Sequence, residues 1–176
     1  MTEEVTRKYQ FDWSLLGDLR LGRPNLGLRT RLEVYRLLLF SFRDVLEQRY
    51  GPDEADRILS DAGYLAGREF YDNLIGPQDD LSAFVGRLQS VMREMGIGIL
   101  RVEESDPERG LFVITVAEDL DCSGLPDLGA QHCIYDEGFI SALLERFTGR
   151  KFSVREVDCW CTGDRTCRFR AEVAAP

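Results

Sequence analysis

A group of thiols around one turn constrains this chain more than any other feature. Cys159, Cys161 and Cys167 flank Thr162-Gly163-Asp164-Arg165, a run of turn formers between two strand-like stretches, Phe152 to Trp160 and Cys167 to Val173. A hairpin there brings thiols from neighbouring strands close together. Cys133 opens the predicted helix just upstream. With Cys122 the chain holds five cysteines, an odd number and poor material for a disulfide framework. The N-terminus, Met-Thr-Glu-Glu-Val-Thr-Arg-Lys, lacks the basic and then apolar segments of a secretory signal. We therefore expect a cytoplasmic chain whose thiols stay reduced, so their crowding points to metal, to redox chemistry or to chance.

The rest of the sequence supplies the scaffold. At 176 residues it fits one domain, read as 32–176, with an irregular arm at 1–31 where Gly17, Gly22, Pro24 and Gly27 interrupt every period. From Thr30 to Tyr50 apolar residues recur at steps of three and four, which predicts a helix with a broad buried face. Gly51-Pro52 ends it, and a second helix follows from Asp53 to about Asn73. That helix carries a stripe of small residues, Ala62, Gly63, Ala66 and Gly67, which we read as a site of tight helix packing. A third helix spans Leu81 to Met95, and Ile97 to Glu103 and Leu111 to Ala117 read as a hairpin around Asp106-Pro107-Glu108-Arg109-Gly110. Residues 118–131 read as a loop, and a fourth helix covers Cys133 to Phe147. The expected class is α+β: N-terminal helices packed on a roughly four-stranded antiparallel sheet with one inserted helix.

Charge and motif content exclude several functions. A net charge of −9 without a basic run argues against direct nucleic-acid binding. The longest apolar runs, such as Leu37 to Phe40, are far shorter than the ~20 residues of a membrane span. A single histidine, His132, rules out zinc sites that need two imidazoles, and neither a phosphate loop nor a serine nucleophile motif is present. Redox pairs usually have two residues between their cysteines and sit at a helix start, whereas one residue separates Cys159 from Cys161. Zinc remains, with two possible donor sets. Strand pairing alone makes Cys133, Cys159, Cys161 and Cys167 a natural four-thiolate site, and leaves Glu156 an ordinary carboxylate.

The segments Gly138-Phe139-Ile140-Ser141-Ala142 through Gly149-Arg150, Arg155-Glu156-Val157-Asp158-Cys159, Gly163-Asp164 and Cys167-Arg168-Phe169 resemble the C-terminal half of the 4-vinyl-reductase (4VR) domain family. The resemblance covers about residues 85 to 173. In the phenol-sensing transcription activators of this family a zinc is held by a Cys, a Glu and two further Cys, at gaps reproduced here by Cys133, Glu156, Cys159 and Cys167. It therefore implies a structural zinc on those four residues, with Cys161 in place of Glu156 as the variant. Four protein donors leave no open position, so such a zinc is not catalytic.

The same resemblance implies a ligand cavity between helices and sheet, for which Phe84, Leu88, Phe112, Ile114, Tyr135 and Phe139 are candidates on predicted inner faces. The family's phenol-holding histidine has no counterpart, which puts phenol itself in doubt. The implied function is a zinc-containing sensor domain for a small hydrophobic or aromatic ligand, paired as a homodimer through its long N-terminal helices. It would signal through a separate partner. The alternatives are an accessory protein or reductase acting on a vinyl-bearing tetrapyrrole, and a non-catalytic assembly adaptor like the TRAPP tethering subunits of similar fold. The balance is against an enzyme, because no electron-donor site is evident.

Overall fold

The computed structural model describes residues 8–174. Residues 1–7 of the predicted arm lie outside that range; the rest of it forms a 3-10 turn at Trp13–Leu16 and a one-turn helix, α1, at Leu19–Gly22. Asp12 and Asp18 cap these turns, and the Trp13 N–H donates to Glu69, tying the arm to the body of the domain.

The long helices are α2 (Leu32–Tyr50), α3 (Pro52–Phe70), α4 (Leu81–Met95) and α5 (Ile134–Thr148), and the strands are β1 (Ile99–Asp106), β2 (Leu111–Ala117), β3 (Phe152–Asp158) and β4 (Cys167–Val173). All pairings are antiparallel in the order β1-β2-β4-β3, and α5 is inserted between β2 and β3. The α+β expectation holds. Three starts and stops follow local chemistry: Pro52 in the first turn of α3, Asp80 capping α4, and left-handed glycines at 96 and 149 ending α4 and α5. Beyond Phe70 a π-helical turn, Tyr71–Ile75, carries α3 on toward the second helix's predicted end.

The core lies between the sheet and the α4–α5 layer. Phe84, Leu88, Val91 and Met92 of α4 meet Phe112, Ile114 and Val116 of β2 and Phe139, Ile140, Leu143 and Leu144 of α5. Strand burial alternates in β3 and β4, as a sheet with one covered face requires.

Tight packing is where the small residues placed it. Gly63 and Gly67 of α3 face α5 so closely that a Cβ on either would overlap the Tyr135 or Phe139 carbonyl oxygen, and a Cβ on Gly138 would overlap the Ser60 carbonyl. Ala62, in the same stripe, is exposed. Helix α2 departs from expectation: of its apolar residues only Leu46 is buried, while Val34, Leu37, Leu38, Phe42 and Val45 are exposed. Periodicity reports an apolar face, and here the domain's own core does not cover it.

Gly63→Ala should destabilise the fold by about 3 kcal/mol in urea unfolding, because rigid backbone lies in the way. Gly86→Ala, on an exposed part of α4 with open space around the new methyl, should stabilise it by about 0.5–1 kcal/mol.

Candidate metal centre and adjoining cavity

Four sulfurs converge where α5, the hairpin and the loop after β2 meet. The Sγ atoms of Cys122, Cys133, Cys159 and Cys167 all lie within 4.8 Å of one another, and all four residues are buried. Cys122 Sγ is 2.9 Å from Cys167 Sγ, and Cys133 Sγ is 3.6 Å from Cys167 Sγ and 4.0 Å from Cys159 Sγ. The five cysteines are unpaired thiols. Each comes from a different element. Cys133 caps α5, Cys159 follows the last residue of β3, Cys167 opens β4 opposite Val116, and Cys122 sits in the turn after β2.

Cys161 is buried but is not one of the four. Strand β3 ends at Asp158 and the chain enters a 3-10 turn at Trp160–Thr162, so the two-residue alternation that would place Cys161 beside Cys159 is lost. The Cys161 carbonyl accepts the N–H groups of Leu128 and Gly129 instead.

Glu156 adjoins the cluster without being one of the four converging donors. Its Oε2 accepts the backbone N–H groups of His132 and Cys133, both at 3.1 Å, which satisfies donors that the start of α5 would otherwise leave orphaned. Its Oε1 is buried with no hydrogen-bond partner, a condition that costs about 1–3 kcal/mol where nothing else approaches. Glu137 of α5 returns the contact: its Oε1 accepts the Glu156 N–H at 2.9 Å and its Oε2 meets Arg155 at 2.6 Å. The two glutamates clamp the start of α5 to β3 from both sides.

Sequence reasoning missed Cys122. Its turn is organised by Asp119, whose Oδ1 accepts the N–H groups of Asp121 and Cys122 at 2.8 and 3.1 Å. The run Asp119-Leu120-Asp121-Cys122, in which an Asp can fold the backbone two and three residues ahead, was the available signal. From α2, the Tyr35 hydroxyl donates to Asp121 Oδ1 at 2.7 Å, and Arg36 donates to the Leu120 and Ser123 carbonyls, each at 2.9 Å. His132 stands at the edge of the site, half-buried against the Phe40 ring with ring centres 5.5 Å apart.

The centre is rich in anionic groups. Burial pushes Asp121 up to about 7, helped by the charge of Asp119, and pushes Glu156 up to about 8. The Cys159 thiol is held well below its ordinary value by hydrogen bonds from Cys122, Cys133 and Cys167. A thiolate surrounded by three sulfur donors is an arrangement that a cation can occupy, with the thiol protons released.

An apolar cavity adjoins the cluster. Phe84, Leu88, Phe112, Ile114 and Phe139 line it together with Asp119 and Asp136, and Tyr135 is not part of its wall. It measures about 30 Å³, room for a water and less than an aromatic ring needs. Phe84 and Phe147 are stacked 4.3 Å apart beside it.

The segment from β2 to β4 carries all of these donors. Residues 112–173 match the family model of the vinyl-4-reductase (V-4-R) domain. Two uncharacterized proteins of Methanocaldococcus jannaschii are similar to the chain. One is 27% identical over 86 residues, which are 49% of this chain and 51% of that protein. The other is 25% identical over 118 residues, 67% of this chain and 65% of that protein. The matched stretches thus span about half to two-thirds of these relatives.

Solved structures extend the likeness to the N-terminal helices. A vinyl-4-reductase family protein from Methanocaldococcus jannaschii superposes with a TM-score of 0.59 at 16% identity, covering 85% of both chains. The phenol-responsive sensory domain of the transcription activator PoxR, with phenol, gives 0.60 at 13% identity, over 84% of this chain and 76% of that one. A trafficking protein particle complex subunit 3 from Naegleria fowleri, covalently bound to palmitic acid, gives 0.57 at 16% identity, over 81% and 97%. At these identities the likeness is one of fold, and it bears out the resemblance read from the C-terminal motifs.

Proposed function

We propose that the chain is a zinc-containing sensor domain that takes a small hydrophobic or aromatic molecule between α4, α5 and the sheet. The observation that carries this reading is the junction of cavity and thiol cluster: Asp119 lines the cavity while its Oδ1 lies 3.9 Å from Cys133 Sγ. Shared fold with a phenol-responsive sensory domain supports it.

The donors fit one tetrahedral ion. Sulfurs bound to a single zinc at about 2.3 Å sit about 3.8 Å apart, and the thiol contacts here run from 2.9 to 4.0 Å. Thiolates in such a set favour zinc over magnesium or calcium. Cys133, Cys159 and Cys167 are the ligands common to the converging thiols and to the set implied by family spacing; Glu156 and Cys122 both stand at the fourth position. A closed shell supplies a cross-link when the ion is bound. The chain's own residues do the rest: Glu156 and Glu137 hold the start of α5 to β3, and Asp119 holds the Cys122 turn.

Ligand entry has to open the cavity, since about 30 Å³ admits no ring. Phe84, Leu88, Phe112, Ile114 and Phe139 would meet the ligand, separating the α4 layer from the sheet. The exposed apolar face of α2, with Leu37 and Leu38 each 71% exposed, supports pairing with a second copy, and the signal then passes to a separate partner. The same small cavity favours a second reading, a ligand-free assembly adaptor. No helix among the described residues is long and apolar enough to cross a membrane.

Purified protein is expected to contain about one zinc per chain by elemental analysis, and removing it with a chelator should lower the melting temperature by roughly 10 °C or more. Zinc-free protein with an unchanged melting temperature would sink the metal reading. Phenol and alkylphenols, used as probes, should raise the melting temperature saturably by roughly 2–5 °C and should do nothing to Ile114→Trp, whose indole fills the cavity. An absent shift across all probes favours the adaptor. Leu38→Glu combined with Phe42→Glu should convert a dimer to a monomer in sedimentation velocity without loss of helical circular dichroism.

A further inference from the structure

Around the candidate ion there are five donors for four positions. Cys133, Cys159 and Cys167 are in every set. The fourth position has two claimants held in different ways. Glu156 is in the paired part of β3, opposite Phe169 of β4, and is anchored through Oε2 to two backbone N–H groups, with Oε1 buried and unpartnered. It cannot leave without breaking the start of α5. Cys122 sits in a turn outside the sheet, entered through Glu118, a non-glycine residue at φ 53°. Non-glycine residues in that region are uncommon and held by their surroundings. Here the surroundings are the Asp119 carboxylate, which lines the cavity, and Tyr35 and Arg36, which reach over from α2.

We propose that the fourth coordination position is exchangeable: Cys122 fills it in the arrangement described, and Glu156 Oε1 takes it when the Asp119–Ser123 turn moves away. This rests on the metal reading above and adds regulation to that site. A molecule entering the cavity displaces Asp119, the turn loses the acceptor for its two N–H groups, and Cys122 withdraws. The bonds balance: one metal–sulfur bond breaks and one metal–oxygen bond forms. The departing thiolate takes a proton from solvent, and one anionic donor replaces another, so the shell stays closed and its charge is unchanged. The stationary thiols and Glu156 hold α5 to the hairpin in both forms, while the turn is free to report.

The test uses the full chain loaded with cobalt(II) in place of zinc, reading metal per chain and the thiolate-to-cobalt charge-transfer absorption, which scales with the number of bound sulfurs. Wild type should show four thiolates. Cys122→Ser should keep one metal per chain with the band reduced by about a quarter, from four sulfurs to three. Glu156→Gln should keep one metal with the band unchanged. The double variant should lose metal to a competing chelator at least tenfold more readily than either single variant. Asp119→Ala, which frees the turn while sparing every sulfur, should keep the metal and shift the band from four thiolates to three. Metal loss in Cys122→Ser alone marks a fixed four-thiolate shell and overturns the proposal. So does metal loss in Glu156→Gln alone with a three-thiolate wild type, or an unchanged four-thiolate band in Asp119→Ala. Wild type that binds neither cobalt nor zinc overturns the metal reading itself, an outcome separate from all of these.

Discussion

Helices α3 and α5 meet backbone to backbone, and the positions of the remaining elements follow from that contact. Gly63 and Gly67 on one side and Gly138 on the other leave no room for a methyl group, so the axial position of α5 is set by hard-sphere contact rather than by adaptable side chains. The inserted helix must then begin where it does, with Cys133 at its cap above the β3–β4 hairpin. Its opposite face supplies Phe139, Ile140, Leu143 and Leu144 to the core over the sheet.

A second constraint is electrostatic. Asp119, Asp121 and Glu156 are buried within the same corner as the four thiols, where isolated anions are strongly disfavoured. Two solutions are visible in the geometry. Backbone N–H groups take up several carboxylate oxygens: Glu156 caps α5, Glu137 holds the β3 backbone, and Asp119 folds its own turn. The sulfurs are left facing one another, the part of the problem that backbone donors do not solve and that a soft cation does.

The helices, both hairpins and the sheet were legible because each rests on a local period or a local breaker: Gly51-Pro52, Gly96, Gly149 and the turn at 162–165. The packing stripe at 63 and 67 was legible for the same reason. Three features were not. The outward apolar face of α2 looks like any core face in sequence, since periodicity does not say what covers it. Cys161 turns away from the cluster because β3 stops at Asp158, a boundary that alternation cannot reveal in advance. Cys122 enters the cluster through an irregular loop, where no period relates it to Cys133 and only the Asp119 turn brings it round. Sequence therefore located the corner and three of its thiols; which donors complete it is a matter of loop geometry.

The turn from Asp119 to Ser123 is a vertex shared by three otherwise separate parts of the molecule. It lines the cavity through Asp119, contributes Cys122 to the sulfurs, and accepts hydrogen bonds from Tyr35 and Arg36 on the helix whose apolar face is open. Whatever binds at one of these parts by moving that turn changes the free energy of binding at the other two, and linkage makes the effect reciprocal. A ligand whose affinity depends on metal load must alter metal affinity by the same factor. A second chain docking on α2 would enter the same balance. In a domain built this way, sensing needs no long path between sites, because one short segment belongs to all of them.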